Sequence, residues 1–264
     1  MPLARSDTRE RLLMGLASLI VPLALWEAIP RIVALPRGIK LFLATPSQIA
    51  VALAGLLTSG ELQQHFTVSA LEFLIGLGLS IAVGLPLGML LGSVRWLDDL
   101  FDPFVTALNA TPRIVWLPLL ILWLGLGIWS KVMIVFLGAV FPLLVNTYEG
   151  VRNSDRVLAN VVRSFGGSGW QVTRIVVLPG ALPYVVAGLR LAIGRAILGV
   201  VVGEFFGASR GLGYMIASAA SSYRPDVMFA GVLVLMALSL ALTFSVQAVE
   251  ARLTRWRPEA AKTF

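Results

Sequence analysis

Long uncharged stretches constrain the fold of this chain more than any other feature of its sequence. The stretch 227–249 holds no Asp, Glu, Lys or Arg, and most other apolar stretches hold at most one. A helix needs about 20 apolar residues to cross the hydrocarbon core of a bilayer. Of the 264 residues only 13% are charged and 58% are hydrophobic, against about 25% charged in soluble domains. The sequence therefore predicts an all-α integral membrane protein without a large soluble domain.

Six apolar segments fit the length of a membrane helix. They predict one transmembrane domain over 1–264. Lys131 alone separates the third segment from the fourth, which predicts a tight helical hairpin at that residue. The six predicted spans are 12–29, 68–94, 114–130, 132–148, 184–206 and 227–249.

The distribution of Arg and Lys orients these spans, because cytoplasmic loops are enriched in both residues. With six spans, most of the 21 basic residues lie on the same side as both chain ends, which predicts cytoplasmic N and C termini. A further uncharged run, 41–60, would reverse all later loops if it crossed the membrane. It is instead predicted to form a periplasmic interfacial helix at 45–59, started by Thr45-Pro46-Ser47.

The largest cytoplasmic loop, 149–183, has the pattern of two short helices. Ser154 is placed to cap a first helix, which should stop at Gly166-Gly167. The apolar residues that should share one face of this helix are Leu158, Val161, Val162 and Phe165.

A second helix should follow at once, because Ser168 and Gln171 have capping-box spacing, and Pro179 should end it. Helices this short are marginal in isolation, so the loop is predicted to dock against a partner. An ordinary solvated connection is the alternative.

Charged residues inside the spans are candidates for function, because each costs at least about 2.5 kcal/mol at the bilayer centre. Arg195 falls near the middle of the fifth span, and Glu204 projects from the other side of the same helix. Glu72 and the deep Trp123 complete the candidate substrate pathway. A structural pair with an acid or with carbonyls on another helix is the alternative for Arg195, and simple packing is the alternative for Trp123.

Several segments together resemble one protein family. Gly166, nine further residues and then Val176-Val177-Leu178-Pro179 are similar to half of the cytoplasmic signature of permease subunits of binding-protein-dependent ABC importers. The Glu-Ala-Ala that opens that signature is replaced here by Asn160-Val161-Val162. Further similarity, typical of the nitrate, sulfonate, taurine and bicarbonate branch, lies in LATPSQI (43–49), LLILWLGLGIWSK (119–131), FPLLVNTYEGV (141–151), GLRLAIGRA (188–196) and VVGEFFGASRGLGYMI (201–216).

The resemblance implies a type I ABC importer permease fold with six transmembrane helices, in the bacterial cell inner membrane. The first short helix of the loop would be a coupling helix, seated on a separate ATPase subunit. On this basis ATPase coupling is assigned to Arg156, Asn160, Val161, Val162, Arg163, Ser164, Phe165, Gly166, Trp170, Gln171, Leu178 and Pro179.

The resemblance also implies the partners. They are two ABC ATPase subunits, a second permease copy forming a homodimer, and a periplasmic binding protein that delivers a small, anionic solute such as a sulfonate, taurine or nitrate. The chain itself has no G-x-x-x-x-G-K-[ST] phosphate loop. It is therefore not expected to be an enzyme or to bind a cofactor, and ATP and Mg would bind to the partner ATPase.

Composition excludes other classes of site. The chain has no Cys and a single His, so a His or Cys metal cluster is not expected. The basic residues are scattered between apolar runs, which argues against nucleic-acid binding.

Two alternative functions fit parts of the pattern. A stand-alone secondary transporter would also use intramembrane charges and interrupted spans, but it has no use for a docking helix pair. The segment GASRG (207–211) matches G-x-S-x-G with Ser209, the remote signature of a serine hydrolase. That motif needs a strand-to-helix elbow and a base. Here it follows a predicted membrane helix, and the single histidine that could serve as the base, His65, precedes the second span.

Overall fold

The computed structural model describes residues 8–33, 36 and 42–253, and the regular secondary structure of these residues is helical. Five of their helices are long and apolar enough to cross a membrane. A sixth crossing results if a helix pair bent by 89° counts as one span. The elements are α1 (Thr8–Ile32), α2 (Pro46–Thr58), α3 (Glu61–Ser93), α4 (Arg95–Ala110), a 3-10 turn (Arg113–Trp116), α5 (Leu117–Leu124), α6 (Ile128–Arg152), α7 (Arg156–Ser164), α8 (Gly169–Val172), a π-turn (Thr173–Val177), α9 (Leu178–Gly207), α10 (Leu212–Ser221) and α11 (Pro225–Leu253).

The chain divides into two compact units, and the first comprises 1–63 and 215–234. In this unit the predicted start of α2 is confirmed. The Thr45 side chain accepts a hydrogen bond from the Gln48 N–H, and the reciprocal bond completes a capping box, with proline in the first turn. The Glu27 carboxylate of α1 accepts hydrogen bonds from the N–H and the hydroxyl of Ser47, at 2.9 and 2.8 Å. The start of α2 is thereby tied to α1.

The second unit, 64–214 and 235–264, contains the main hydrophobic core. Helices α6 and α9 pack along their lengths through small and branched side chains such as Val135, Ala139, Ala192 and Ala196, all of which are buried. Helix α3 approaches α6 through a row of glycines. A Cβ atom at these glycines would lie 2.5 to 3.0 Å from atoms of α6, so only a residue without a side chain permits the approach. The row consists of Gly76, Gly84, Gly88 and Gly92.

The predicted hairpin at Lys131 is wrong in position. Helix α6 begins at Ile128 and continues through Lys131. The chain turns instead at Gly125 and Gly127, and Gly125 has a φ of +76°, a conformation that favours glycine. Most of the residues predicted as the third span form the 3-10 turn and α5, which are the second half of the bent pair, and its last three residues begin α6.

The prediction that Pro179 ends a helix is also wrong. One continuous helical segment runs from Gly169 to Gly207, so the predicted span 184–206 is only its latter part. The π-turn Thr173–Val177 lies directly before Pro179. Proline has no N–H and its ring crowds the preceding turn, and a widened π-turn accommodates both effects without breaking the helix.

Candidate functional site

Helix α7 is the centre of the predicted coupling segment, and Asp155 rather than Ser154 caps it. The Asp155 carboxylate accepts from the N–H groups of Val157 and Leu158 at 2.7 and 3.2 Å. The predicted apolar face is divided. Val162 turns inward with the buried Ala159, whereas the side chains of Val157, Leu158, Val161 and Phe165 are exposed.

The inward residues of α7 pack against the helix that follows it. Ala159 forms a small core with Val172 and Val176, and Val162 and Val177 lie against it. The helix pair therefore holds itself together through a few aliphatic contacts. Its outer apolar side chains contribute nothing to that core.

A glycine turn separates the two helices, as predicted. Gly166 has a φ of +78°. The Gly166 N–H donates to the Arg163 carbonyl and the Gly167 N–H donates to the Val162 carbonyl, both at 2.9 Å. These two bonds form a Schellman motif, which favours glycine at the first position after the cap.

The capping box predicted for the second helix is confirmed. The Ser168 N–H donates to Gln171 Oε1 at 2.7 Å, and the Gln171 N–H donates to Ser168 Oγ at 3.3 Å. Trp170 follows the cap with its ring exposed. Leu178 and Pro179 lie beyond the π-turn, within the continuing helix.

A cavity of about 500 Å³ opens beside α7 and is rich in arginine. Asp98 of α4 also lines it, and its carboxylate already accepts hydrogen bonds from Arg152 and from the Tyr148 hydroxyl, both at 2.8 Å. The cavity lining therefore keeps a net positive charge. Its arginines come from α4, α6 and α7: Arg95, Arg152, Arg156 and Arg163.

A second region is a buried polar cluster around Glu204, which is 1% exposed. Its carboxylate accepts from Ser69 Oγ at 2.5 Å and from the Gly213 N–H at 2.6 Å. Ser69 Oγ in turn accepts from the Leu212 N–H at 2.8 Å. His65 Nδ1 accepts from the Gly211 N–H at 3.0 Å. Helix α3, the end of α9 and the segment that leads into α10 are joined here.

Lys131 and Glu72 complete this cluster. The buried Lys131 ammonium donates to the carbonyls of Leu126, Gly127 and Gly207, with 3.1 Å to Gly127. Its charge interacts with both carboxyl groups. Glu72 is 2% exposed and its carboxyl group interacts with that of Glu204. Glu72 and Glu204 were predicted as pathway residues, and the structure brings them together in this sealed cluster.

Sequence reasoning missed Lys131, Ser69 and His65 as members of the cluster. A lone lysine between two apolar runs has the pattern of a turn, so the sequence predicts a loop position for Lys131. Ser69 and His65 carry no distinctive local signal. The only hint in the sequence was the segment 201–216, which contains Glu204 and the amide donors.

Arg195 lies in a third region, and it is exposed on the surface of the chain. Its backbone passes close to Gly138 of α6, where a Cβ would lie 3.1 Å from the Arg195 carbonyl oxygen. Arg113 lies nearby, and the two guanidinium charges interact. The other intramembrane arginine of α9, Arg190, forms an ion pair with Glu250. Trp123, on α5, is 67% exposed.

Comparisons with known proteins agree with this architecture. Residues 84–255 match the family described as binding-protein-dependent transport system inner membrane component. The putative aliphatic sulfonates transport permease protein SsuC of Bacillus subtilis is 35% identical over 92% of this chain and 87% of its own length. The taurine transport system permease protein TauC of Escherichia coli is 29% identical over 98% of this chain and 93% of its own length.

Among solved structures, a chain of the MetNI methionine ABC transporter in an inward-facing conformation superposes with a TM-score of 0.64 at 21% identity. The match covers 71% of this chain and 93% of that chain. The predicted resemblance to the sulfonate and taurine branch is confirmed. The helical membrane fold, the extent of the family match and the identity to these permeases together show that this chain belongs to the binding-protein-dependent transport system inner membrane components, as an ABC transport permease and not an enzyme.

Proposed function

We propose that this permease forms, as a homodimer in the bacterial inner membrane, the pathway of an importer for aliphatic sulfonates or a similar small anion. The names of the two relatives above, a sulfonate and a taurine permease, support this solute class. A periplasmic binding protein would deliver the solute. Two ATPase subunits, which bind ATP and Mg, would drive transport from the cytoplasmic side.

The exposed position of Arg195 supports a pathway between two copies. An arginine that faces lipid at the centre of a span costs at least about 2.5 kcal/mol. A water-filled passage closed by the second copy removes that cost. Trp123, which is also exposed, is retained as a pathway residue. Glu72 and Glu204 are sealed inside one copy, and we assign them to holding the segment before α10 rather than to solute contact.

The main support for the coupling role is the exposed apolar side of α7. Phe165 is 90% exposed and Val157 is 70% exposed, although both lie in a polar segment between spans. Apolar patches of this kind mark interaction sites. Arg156 and Arg163 add positive charge beside this surface. The ATPase groove that receives α7 should therefore be apolar at its centre and acidic at one edge. The remaining coupling residues proposed from the sequence lie on α7, in the glycine turn, on α8 and at the start of α9.

A substitution at the most exposed of these residues tests the docking. We expect Phe165→Asp to abolish co-purification of the ATPase with the permease, because a carboxylate would be desolvated without a partner in the apolar groove. Pull-down of the full transporter from detergent-solubilised membranes measures this. Thr58→Asp, at the exposed end of α2, is the matched control. Undiminished ATPase recovery with the Phe165 variant, at equal amounts of inserted permease, would contradict the assignment.

The solute class can be tested by measuring the melting temperature of the partner binding protein with candidate ligands. A ligand that binds only the folded state raises the melting temperature, with about 2.7 kcal/mol of stabilisation at a hundredfold excess over Kd. We expect ethanesulfonate and taurine to raise it by several degrees, and an uncharged alcohol of similar size to leave it unchanged. A rise with the alcohol and none with the sulfonates would refute the proposed solute.

A further inference from the structure

Arg113 and Arg195 lie at the same depth of the membrane. Arg195 passes Gly138, and the Arg113 guanidinium carbon lies 5.9 Å from the centre of the Phe141 ring, one turn further along the same helix. Gly138 and Phe141 are at the middle of α6. At about 1.5 Å per residue, both lie some 15 to 20 Å from the start of that helix, which is near the bilayer midplane.

The surroundings of Arg113 hold its guanidinium in place without neutralising it. One terminal nitrogen donates to Asn109 Oδ1 at 2.8 Å. The guanidinium carbon lies over the Phe141 ring, an arrangement that stabilises a cation modestly. The Nε atom is buried and has no hydrogen-bond partner.

No carboxylate offsets the two charges within the part of the chain that the structure describes. Neither arginine forms an ion pair there, in contrast to Arg190, which is paired with Glu250. The charged group that acts on Arg113 is Arg195 itself. Two like charges at the same depth of a span repel, so an anion that binds beside them is favoured by both.

We propose that Arg113 and Arg195 form a binding subsite for the oxyanion group of the solute at the midplane of the pathway. This inference rests on the proposed function above and adds Arg113 to the residues that contact the solute. Guanidinium groups present planar, forked donors that match the oxygen geometry of a sulfonate. Asn109 and Phe141 are positioning residues, because they act on the solute only through Arg113.

An ion pair with a carboxylate of the second copy is the competing explanation for two unpaired arginines. The two explanations differ in what neutralisation does. Loss of an intersubunit ion pair would weaken the homodimer. Loss of a solute subsite would leave the mass of the complex unchanged and would alter only its selectivity for anions.

The absence of cysteine in this chain permits a direct test on the assembled transporter. Leu198 is exposed and lies one turn from Arg195, so Leu198→Cys places a single thiol of this chain beside the subsite. The rates of its modification by an anionic reagent, methanethiosulfonate ethylsulfonate, and by its trimethylammonium counterpart are then compared by mass spectrometry. Native mass spectrometry of the same samples counts the permease copies.

We expect the anion-to-cation rate ratio to fall at least about tenfold when either Arg113→Gln or Arg195→Gln is added, since clefts of one charge concentrate counter-ions by 10 to 10³. The double variant Arg190→Gln/Glu250→Gln, which removes a paired charge of the same helix, should leave the ratio unchanged. An unchanged ratio in both single variants, a thiol that neither reagent reaches, or dissociation of the dimer would each overturn the subsite.

A transport assay distinguishes failure of the subsite from failure of the proposed function. In proteoliposomes with the binding protein, either glutamine variant should lower the maximal rate of radiolabelled ethanesulfonate uptake about tenfold or more, as expected for loss of a charge-assisted contact. Wild-type rates in both variants would overturn the subsite while the importer function stands. Failure of the wild type to import ethanesulfonate, with the labelling ratio still dependent on both arginines, would refute the proposed solute and support the subsite.

Discussion

Glu204 illustrates how a carboxylate is accommodated inside a membrane protein. A buried ionised group is tolerated only when hydrogen bonds and charges replace its water. The two Glu204 oxygens receive the Ser69 hydroxyl and the Gly213 N–H, and the charge of Lys131 acts on them. This arrangement anchors the segment between α9 and α10 to α3.

The glycine next to this carboxylate permits a sharp test. Gly211 has a φ of +126°, and a Cβ there would lie 2.2 Å from the Glu204 carboxyl group. We expect Gly211→Ala to lower the melting temperature of the purified transporter by several degrees, because both the backbone conformation and the close contact would be strained. Gly194→Ala, where nothing lies within 4 Å of the added atom, is the control. Equal melting temperatures for the two variants would show that the cluster contributes no stability.

At the scale of elements, the packing of α3 on α6 depends on the glycine row. A Cβ at Gly88 would lie 2.5 Å from the Leu144 carbonyl oxygen and 2.7 Å from Thr147. Helices in membranes associate through such close backbone contacts, since lipid supplies no hydrophobic driving force between them. Gly88 and Gly78, both on α3, therefore differ in the size of the side chain that they tolerate.

We expect Gly88→Leu to force α3 and α6 apart and to reduce the yield of folded transporter severalfold, since overpacking costs about 1 to 3 kcal/mol or more. Gly78→Leu, on the same helix but with open space at its Cβ position, should have little effect. Monodisperse protein recovered by size-exclusion chromatography measures both. A folded yield for the Gly88 variant that matches the wild type would mean that α3 does not need this contact.

For the whole molecule, the number of crossings determines on which sides of the membrane the chain ends lie. The described helices give five crossings, or six if the bent pair formed by Arg95–Ala110 and Arg113–Leu124 spans the membrane. Six crossings place both ends on one side, whereas five place them on opposite sides. The basic N-terminal segment and the basic loop around α7 lie on the same side of the membrane only with six crossings, which the positive-inside rule therefore favours.

Reporter fusions distinguish the two counts. We expect a fluorescent protein that matures only in the cytoplasm to be bright at either chain end, and alkaline phosphatase, active only in the periplasm, to be inactive at both. Alkaline phosphatase inserted after Ser222, in the turn before α11, should be active. Opposite reporter results at the two ends would establish five crossings and reverse the placement of one terminus.

Signals in the sequence correctly predicted the membrane class, the family, the capping boxes at Thr45 and Ser168 and the glycine turn at Gly166. The capping boxes and the glycine turn each depend on residues within a few positions of one another, whereas the family is indicated by several short segments together, so a single sequence is enough to identify all of them. The wrong predictions at Lys131 and Pro179 were also local. The chain turns at the glycines at 125 and 127 rather than at Lys131, and the π-turn allows the helix to continue through Pro179.

Tertiary structure decided the rest. Ser69 and Glu204 are 135 positions apart, and no periodicity or spacing relates them. The approach of the α3 glycines to α6 and the placement of Arg113 and Arg195 at the same depth likewise depend on how the helices pack. The sequence by itself determined that the chain spans a membrane, because hydrophobicity and capping act locally, and its resemblance to known permeases indicated the family. Helix packing decided which buried polar groups became partners. A charge in a low-dielectric interior needs hydrogen bonds or opposite charges, and only the packed fold places these beside it.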